Sequence, residues 1–265
     1  MTHKTKVLGI VIPLKAKVNS RNWAITSNAL QLSLDAIANQ NSHRYHCVVI
    51  GHTKPKLKWG QLGQKNINFL SVHDLDAIPF LEWSSADRQK AVTYDKNSKI
   101  LQGVKFLTAR EPKISHWFVL DADDILATNF VSAILKLNPK SGALLSGGFS
   151  LDAETNRIRR RKRIYEICGS TSVLANHVVS ESLAANGDVP WSRYSHARIE
   201  ELFSKELDVD YATVEDPLVC YMTNHGDNCS VDFIKQTRLT KKLKDIILTK
   251  KRTDDFNRRF SSLPQ

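Results

Sequence analysis

Short apolar runs rich in β-branched residues alternate with longer segments of helical periodicity in the first half of this chain. The apolar runs lie at 7–14, 45–52, 66–73 and 116–121. A continuous apolar run of this length is typical of a strand that is buried on both faces. Strands that alternate with helices favour a mostly parallel, twisted sheet with helices on both faces. The sequence therefore predicts an α/β fold.

Helices are expected between these strands. Asn19 or Ser20 is expected to cap the first helix, because both side chains suit the N-cap position. Further helices are predicted over 96–110 and over 128–137, where apolar residues recur at helical spacing. Residues 74–93 look irregular, and a connection of that length is typical of a lid or a binding loop. In folds of this kind, ligands bind at the carboxyl ends of the strands.

The second half of the chain changes character. A strand, a turn at 152–156 and a returning strand are predicted first, and a helix at 176–185 follows. An amphipathic helix is expected at 191–207. After it, the sequence predicts a strand that ends in a polar turn, and then a basic amphipathic helix in the C-terminal tail.

The segment 119–126, VLDADDIL, places three aspartates directly after the fourth predicted strand. Asp121, Asp123 and Asp124 would repel one another unless a cation lies among them. Hard divalent cations prefer carboxylate oxygens, and Mg²⁺ usually takes one or two carboxylates together with substrate phosphates. The position at a strand end therefore favours a metal site that shares its cation with a diphosphate. The alternative is that these are turn and helix-cap acids.

The chain carries a formal net charge of +11, with 38 Lys and Arg against 27 Asp and Glu. One basic block is RIRRRKR at 157–163, and another extends from Lys235 to Arg259. Such patches attract phosphate-rich or acidic partners, although a solvated face explains each of them equally well. No apolar stretch is long enough to span a bilayer, and no signal-peptide cleavage site follows the first apolar run. A cytoplasmic protein with buried, unpaired cysteines is therefore expected.

Several motifs together resemble the GT-A glycosyltransferases, especially the family 2 group. They are VIPLK after the first strand, VVIGH at the second, DKNSKILQGVKFL in the helix before the aspartates, FVLDADDIL itself, CGSTSVL and NHGDN. The resemblance implies a GT-A fold with a catalytic domain at 1–230 and a basic helical extension at 231–265. Within the domain it implies a nucleotide-sugar-binding half at 1–125 and an acceptor-binding half at 126–230.

The resemblance also implies which residues bind the nucleotide sugar. They follow the predicted strands or lie at the start of the helix before the aspartates: Pro13, Leu14, Lys15, His52, Asp95, Lys96, Asp121 and Ala122. The loop after the first strand would hold the base, and Lys96 would contact the diphosphate or the ribose. His52 stands where many members carry an acidic residue, which leaves the identity of the base open.

Metal ligands follow from the resemblance in the same way. Asp121 would touch the ribose or the metal, and Asp123 would ligate the metal directly. A histidine near the end of the catalytic domain is a second ligand in many members, and His225 is the candidate here, with Asp227 as the weaker alternative. Imidazole and carboxylate together suit Mn²⁺ as well as Mg²⁺.

The catalytic base is less well defined. Inverting members use a carboxylate at the start of a helix, and the corresponding region of this chain offers Asp188, His196 and Glu200, with Glu201 beside the last. A base must lie within hydrogen-bond reach of the acceptor hydroxyl. If none of these residues does so, a retaining reaction is the alternative.

The same region offers contacts for an acceptor. Trp191, Arg193 and Tyr194 form either an acceptor platform or part of the core. The block 157–163 falls near the place where acceptors bind in such folds, and it suits either an acidic acceptor or a charged edge strand.

Three other classes of protein compete with this interpretation. A nucleotidyltransferase or a Walker-type ATPase needs a glycine-rich phosphate loop after the first strand, and LKAKVNSRNW contains no glycine. A basic module that binds nucleic acid or a membrane surface fits the net charge but leaves the aspartates unexplained.

The expectation is a glycosyltransferase dependent on Mn²⁺ or Mg²⁺ that moves a sugar, most plausibly from a UDP-sugar, to a glycan or lipid-linked acceptor. Polysaccharide or lipopolysaccharide synthesis is the expected setting. The basic tail would contact the inner face of the membrane peripherally, and no nucleic-acid partner is expected.

Overall fold

A seven-stranded sheet forms the centre of the computed structural model, which describes residues 6–63, 65–72, 77–193, 198–207, 209–227 and 248–264. Its strands are β1 (Val7–Pro13), β2 (Tyr45–Gly51), β3 (Ile67–Ser71), β4 (Ile114–Val119), β6 (Gly142–Leu145), β9 (Ser172–Ala175) and β10 (Ala212–Val214). They lie in the order β10-β6-β9-β4-β1-β2-β3. Every neighbouring pair is parallel except the two that β9 makes with β4 and β6.

A second, five-stranded sheet is built mostly from the second half of the chain. Its strands are β5 (Ile125–Leu126), β7 (Gly148–Asp152), β8 (Arg157–Arg161), β11 (Val219–Thr223) and β12 (Lys250–Lys251), in the order β12-β8-β7-β11-β5. The predicted hairpin is present: β7 and β8 are antiparallel and are joined by a turn in which Asn156 has a φ of 54°. Asparagine tolerates this left-handed conformation better than most residues.

Seven helices with these bounds occur in the described part of the chain: α1 (Trp23–Ala38), α2 (Trp59–Gly63), α3 (Ser85–Arg110), α4 (Phe130–Leu137), α5 (Asn176–Asn186), α6 (Ile199–Glu201) and α7 (Asp254–Arg259). Helices cover both faces of the central sheet. Because successive strand residues point to opposite faces, Ile10 of β1 packs in a cluster with α1 and α4, whereas its neighbour Val11 packs with α3. The predicted fold class, an α/β fold with a mostly parallel sheet and helices on both faces, is confirmed.

Several predicted boundaries are wrong. The cap of α1 is Asn22, whose side chain accepts hydrogen bonds from the backbone N–H groups of Ala24 and Ile25. Helix α3 begins at Ser85, so 85–93 is helical rather than irregular. The amphipathic segment 191–207 is not one helix, because a 3₁₀ turn at Pro190–Ser192 and α6 with a π-helical continuation take its place in the described residues.

The C-terminal residues 248–264 do not form the predicted basic helix. Lys250 and Lys251 form β12, and the short helix α7 follows. The rings of Phe256 and Phe260 are fully buried and pack edge-on against Phe149 of β7, so this segment joins the core. The predicted tail residues 235–247 lie outside the described residues.

Two further expectations concern the cysteines and the membrane. Cys47, Cys168 and Cys220 are buried and free, as predicted, and Cys229 lies outside the described residues. Within the part of the chain that the structure describes, no helix combines the length and the apolar character needed to cross a bilayer.

Candidate functional site

The acidic turn, defined here as residues 121–124, follows β4 at the carboxyl edge of the central sheet. β4 lies parallel and next to β1, so the loop after β1 emerges at the same edge. The turn closes with a hydrogen bond of 3.1 Å from the backbone N–H of Asp124 to the carbonyl of Asp121. The aspartates therefore lie where ligands bind in open parallel sheets, as the sequence predicts.

Asp121 and Lys96 form an ion pair at this edge. The Lys96 Nζ lies 2.5 Å from Oδ1 of Asp121, and both side chains remain partly exposed. Burial alone would lower the pKa of Lys96, but the neighbouring carboxylates, Asp121 first, outweigh it and raise the pKa above its ordinary value. Lys96 is therefore a cation in the site, positioned beside the acidic turn by the middle of α3.

A buried polar network supports the acidic turn from below. The backbone N–H of Asp121 donates to Ser170 Oγ at 2.8 Å, and Ser170 Oγ donates to Asp124 Oδ2 at 2.6 Å. The thiol of Cys168 donates to the same oxygen at 3.2 Å. Burial, followed by the charges of its two neighbouring aspartates, raises the pKa of Asp124 well above its ordinary value. Asp124 is thus a structural acid, and the other two aspartates face the site.

Asp123 meets His225 across the site. The Nε2 atom of His225 lies 2.8 Å from Oδ2 of Asp123, and the Asp123 side chain is 29% exposed. The two residues meet because β5, which follows the acidic turn, pairs antiparallel with β11, which ends just before the histidine. Asn224 and Gly226 both have positive φ values, of 55° and 96°, so the chain turns sharply on each side of the imidazole. The predicted pairing of an aspartate with this histidine is therefore present.

Asp227 connects this turn to the loop after β1. Its carboxylate accepts from the Lys15 Nζ at 2.8 Å, from the Ser20 hydroxyl at 2.8 Å, from the backbone N–H of Arg21 at 3.1 Å, and from the Thr26 hydroxyl. Burial alone would raise the pKa of Asp227, but these donors outweigh it and hold the pKa below its ordinary value. The weaker alternative of Asp227 as a metal ligand is not favoured, because these donors already occupy both carboxylate oxygens.

Asp95 serves the site indirectly. Its carboxylate accepts from the Lys99 Nζ at 2.6 Å, and the same ammonium donates to the carbonyl of Leu14 at 2.8 Å. The Lys99 side chain is fully buried, and burial lowers its pKa even though Asp95 acts in the opposite direction. Lys99 was not singled out from the sequence, although an Asp–Lys pair spaced i, i+4 on a helix is a visible signal for such a pair.

Other residues that are predicted to bind the nucleotide-sugar donor lie around the same edge of the sheet. Pro13 ends β1 and is half-buried, and Leu14 after it is buried. The carbonyl of Ala122 accepts from the Ser33 hydroxyl at 3.0 Å, which ties the acidic turn to α1. His52 follows β2 directly and is half-buried. Their assignment to the nucleotide stays a prediction.

Two of the candidate bases, Asp188 and Glu200, belong to the described residues. Asp188 accepts from the backbone N–H of Val189 at 2.7 Å and from the Ser192 hydroxyl, in the manner of a turn residue. Glu200 accepts from the Tyr165 hydroxyl at 2.8 Å. His196 lies outside the described residues, so the choice of base stays a prediction.

The predicted acceptor platform is part of the core at Trp191. This indole is 8% exposed, and its N–H donates to the Ser172 hydroxyl at 2.8 Å. Arg193 donates to the Ser182 hydroxyl at 2.6 Å, and Tyr194 lies outside the described residues. The basic block forms β8 rather than an edge strand, because β12 pairs with its outer side.

A divalent cation can be tested against these side chains. Among the described residues, no group of three or more His, Cys, Asp or Glu side chains is arranged to hold a metal ion. Asp123 and His225 nevertheless offer a carboxylate and an imidazole that point at each other. Two protein donors suffice where substrate phosphates and water complete the shell, as is usual for Mg²⁺. The residues therefore fit a cation that arrives with a diphosphate.

A scan against protein-family models and a search of curated proteins both return no match. A search of solved structures returns TarS 1–349 from S. aureus in complex with UDP, at 11% identity and a TM-score of 0.46, covering 96% of this chain and 72% of that one. It also returns S. aureus TarS at 14% identity and a TM-score of 0.41, covering 96% of this chain and 44% of that one. A third match is 4-diphosphocytidyl-2C-methyl-D-erythritol synthase, at 10% identity and a TM-score of 0.41, covering 92% and 98%. We therefore base the function on this chain's own side chains.

Proposed function

We propose that this chain is a glycosyltransferase that moves a sugar from a nucleotide-sugar donor, a UDP-sugar in the first instance, to a glycan or lipid-linked acceptor. One observation carries the proposal. Asp121, Asp123, His225 and Lys96 come from three separate segments and meet at the carboxyl edge of a mostly parallel sheet. Carboxylates, an imidazole and an ammonium in contact are the groups that bind a metal–diphosphate complex.

The metal in this proposal is Mn²⁺ or Mg²⁺, held by Asp123 and His225. Such a cation supplies charge neutralisation on the departing nucleoside diphosphate. Lys96 adds a second positive charge beside Asp121, 2.5 Å from the carboxylate, and contacts the diphosphate or the ribose. Lys15 and Leu14 lie on the loop that the base would approach. Lys15 is held by its ion pair with Asp227, and the carbonyl of Leu14 is held by the ammonium of Lys99.

The donor site is tested by calorimetry of UDP binding in Mn²⁺ and in EDTA. We expect binding that needs the metal and that weakens about ten-fold or more in Asp123→Ala, since hydrogen bonds to charged groups contribute about 1.5–3 kcal/mol. GDP and CDP are measured alongside UDP, because His52 leaves the base open.

Asp210→Ala is the matched control for the loss of one acidic charge. Asp210 is exposed and precedes β10, a strand parallel to β6 at the edge of the sheet. It therefore lies at the amino edge, opposite the acidic turn, and its removal is expected to leave UDP affinity unchanged. If none of the three nucleotides binds with either metal, the carboxylates are turn residues and the proposal fails.

The remaining parts of the proposal are its setting and its competitor. Polysaccharide or lipopolysaccharide synthesis rests on the family resemblance, and a peripheral contact with the inner membrane face rests on the basic residues between Lys235 and Arg259. The competing function is a basic module that binds nucleic acid or anionic vesicles. Salt-dependent DNA binding that is indifferent to divalent metal would favour that competitor.

A further inference from the structure

Three large apolar side chains are exposed together at the start of α3. Ile78 is 46% exposed, Trp83 is 44% exposed and Tyr94 is 60% exposed, and all three line one cavity of about 580 Å³. Contiguous apolar exposure of this kind usually marks a binding surface. The aromatic rings are turned to solvent although the core of the same helix is fully packed.

A second cavity of about 680 Å³ continues along the same helix and shares Lys90 and Tyr94 with the first. Amide and hydroxyl side chains contribute to its lining beside the apolar Ala86 and Leu101, and Asp188 and Ser192 form the far wall; the other polar residues are Gln89, Thr93, Asn97 and Ser98. We call the two cavities together the α3 groove. From Ala86 to Leu101, its floor rises about 22 Å along the helix, the length of several sugar units.

The groove leads to the donor site. The second half of α3 is buried through Ile100, Val104 and Leu107, so the first half extends past the sheet at the carboxyl edge. Asn97 lines the groove, and Lys96 beside it contacts Asp121. The groove and the acidic turn therefore meet α3 on adjoining faces of the same helical turn.

The chemistry of the groove suits a neutral carbohydrate. The C–H face of a sugar ring packs on an aromatic ring, and the sugar hydroxyls need amide and hydroxyl partners of the kind that line the second cavity. The lining carries one lysine, Lys90, and two aspartates, Asp87 and Asp188, which leaves a small negative net charge. A polyanion would gain little here.

We propose that the α3 groove binds a neutral oligosaccharide chain whose end is presented to the donor site as the acceptor. The acceptor role rests on the proposed function, whereas carbohydrate binding by the groove does not. Trp83 and Tyr94 are the anchors, because aromatic side chains in such clefts carry a disproportionate share of binding energy.

The test is calorimetric or NMR titration with maltohexaose, cellohexaose and chitohexaose. We expect at least one of them to bind the wild type and to bind Trp83→Ala and Tyr94→Ala about ten-fold more weakly, which is the loss typical of an anchor residue. Tyr94→Phe keeps the ring and should retain most of the affinity. Leu137→Ala is the control, since Leu137 is equally exposed at 44% but lies on α4.

The proposal is overturned if no hexasaccharide binds, or if the two aromatic variants bind as the wild type does. It is also overturned if the aromatic variants instead lose binding to phosphatidylglycerol vesicles, because the surface is then a membrane contact. UDP calorimetry on Tyr94→Ala separates this proposal from the donor site. If Tyr94→Ala binds UDP normally but no longer binds the oligosaccharide, both the donor site and the groove are supported. If the oligosaccharide binds in the groove but UDP does not bind at all, the groove is a carbohydrate site without a role as acceptor site.

Discussion

Removal of the Asp227 carboxylate should be among the most costly single changes in this fold. The side chain is 3% exposed, and it accepts hydrogen bonds from an ammonium, two hydroxyls and a backbone N–H. Asp227→Ala removes this carboxylate from all four donors, of which the Lys15 Nζ keeps its second hydrogen bond, at 2.8 Å, to the backbone carbonyl of residue 227. Removing one partner of a buried ion pair costs about 3–5 kcal/mol.

The expected loss lies at the lower end of that range, about 3 kcal/mol, because the Lys15 side chain is 19% exposed and regains some water. Asp227→Asn keeps an oxygen that can accept but loses the charge, so about half of that loss is expected. Against a total stability of about 5–15 kcal/mol, a loss of about 3 kcal/mol is easily measured by urea unfolding.

Asp216→Ala provides a control matched in distance but not in burial. Asp216 lies 2.8 Å from the Arg259 guanidinium, the same separation as in the Lys15–Asp227 pair, but its side chain is 45% exposed. A surface pair of this kind contributes about 0–1 kcal/mol. If the two alanine variants lose equal stability, then burial of the donors around Asp227 is not what makes that carboxylate important, and the reasoning is refuted.

Two smaller predictions concern the acidic turn and α6. A Cβ atom added at Gly169 would press on the carboxylate of Asp121 and, less closely, on the Lys96 ammonium. Gly169→Ala should therefore weaken UDP binding about ten-fold, with little change in stability toward urea. Unchanged UDP affinity would contradict this prediction. The hydrogen bond from Arg198, and after it that from Lys205, lowers the pKa of Glu201 from 4.5 to about 2. Because the folded-state pKa is depressed, the contribution of this carboxylate to stability is present above pH 4.5 and is lost as the pH falls toward about 2. The melting-temperature difference between the wild type and Glu201→Gln should therefore shrink over that interval, and a constant difference would contradict the assignment.

The sequence predicted the parts of the fold that depend on local pattern. Strands β1, β2 and β4 are buried apolar runs, β3 at the edge of the sheet is only partly buried, and the acidic turn follows β4. The proximity of Asp123 and His225 could also be predicted from the sequence, because each residue lies in the turn that follows a predicted strand. The start of α3 could not be predicted, because residues 85–97 extend beyond the sheet. A helical segment that packs on nothing does not require the apolar stripe by which a helix is recognised.

The long-range contacts that support the site residues could not be predicted from the sequence. Ser170 supports Asp121 from 49 residues away, and Asp227 holds Lys15 from 212 residues away. No local spacing encodes such contacts, because the first depends on the pairing of β4 with β9 and the second on how the two sheets meet. The burial of the C-terminal segment could have been predicted from the sequence. Phe256, Phe260 and Leu263 recur at i, i+4 and i+7, which is the spacing of a buried helical face.

Asp123 and Asp227 illustrate how a proposed ligand residue differs from one that positions other groups. Asp123 is 29% exposed, so its removal costs little folding energy and should appear mainly in nucleotide affinity. Asp227 is buried among donors from the loop after β1, so its removal should loosen both the fold and the turn that holds the imidazole. Nucleotide binding and stability should therefore separate at Asp123 and change together at Asp227, which follows from burial alone and does not depend on the identity of the donor sugar.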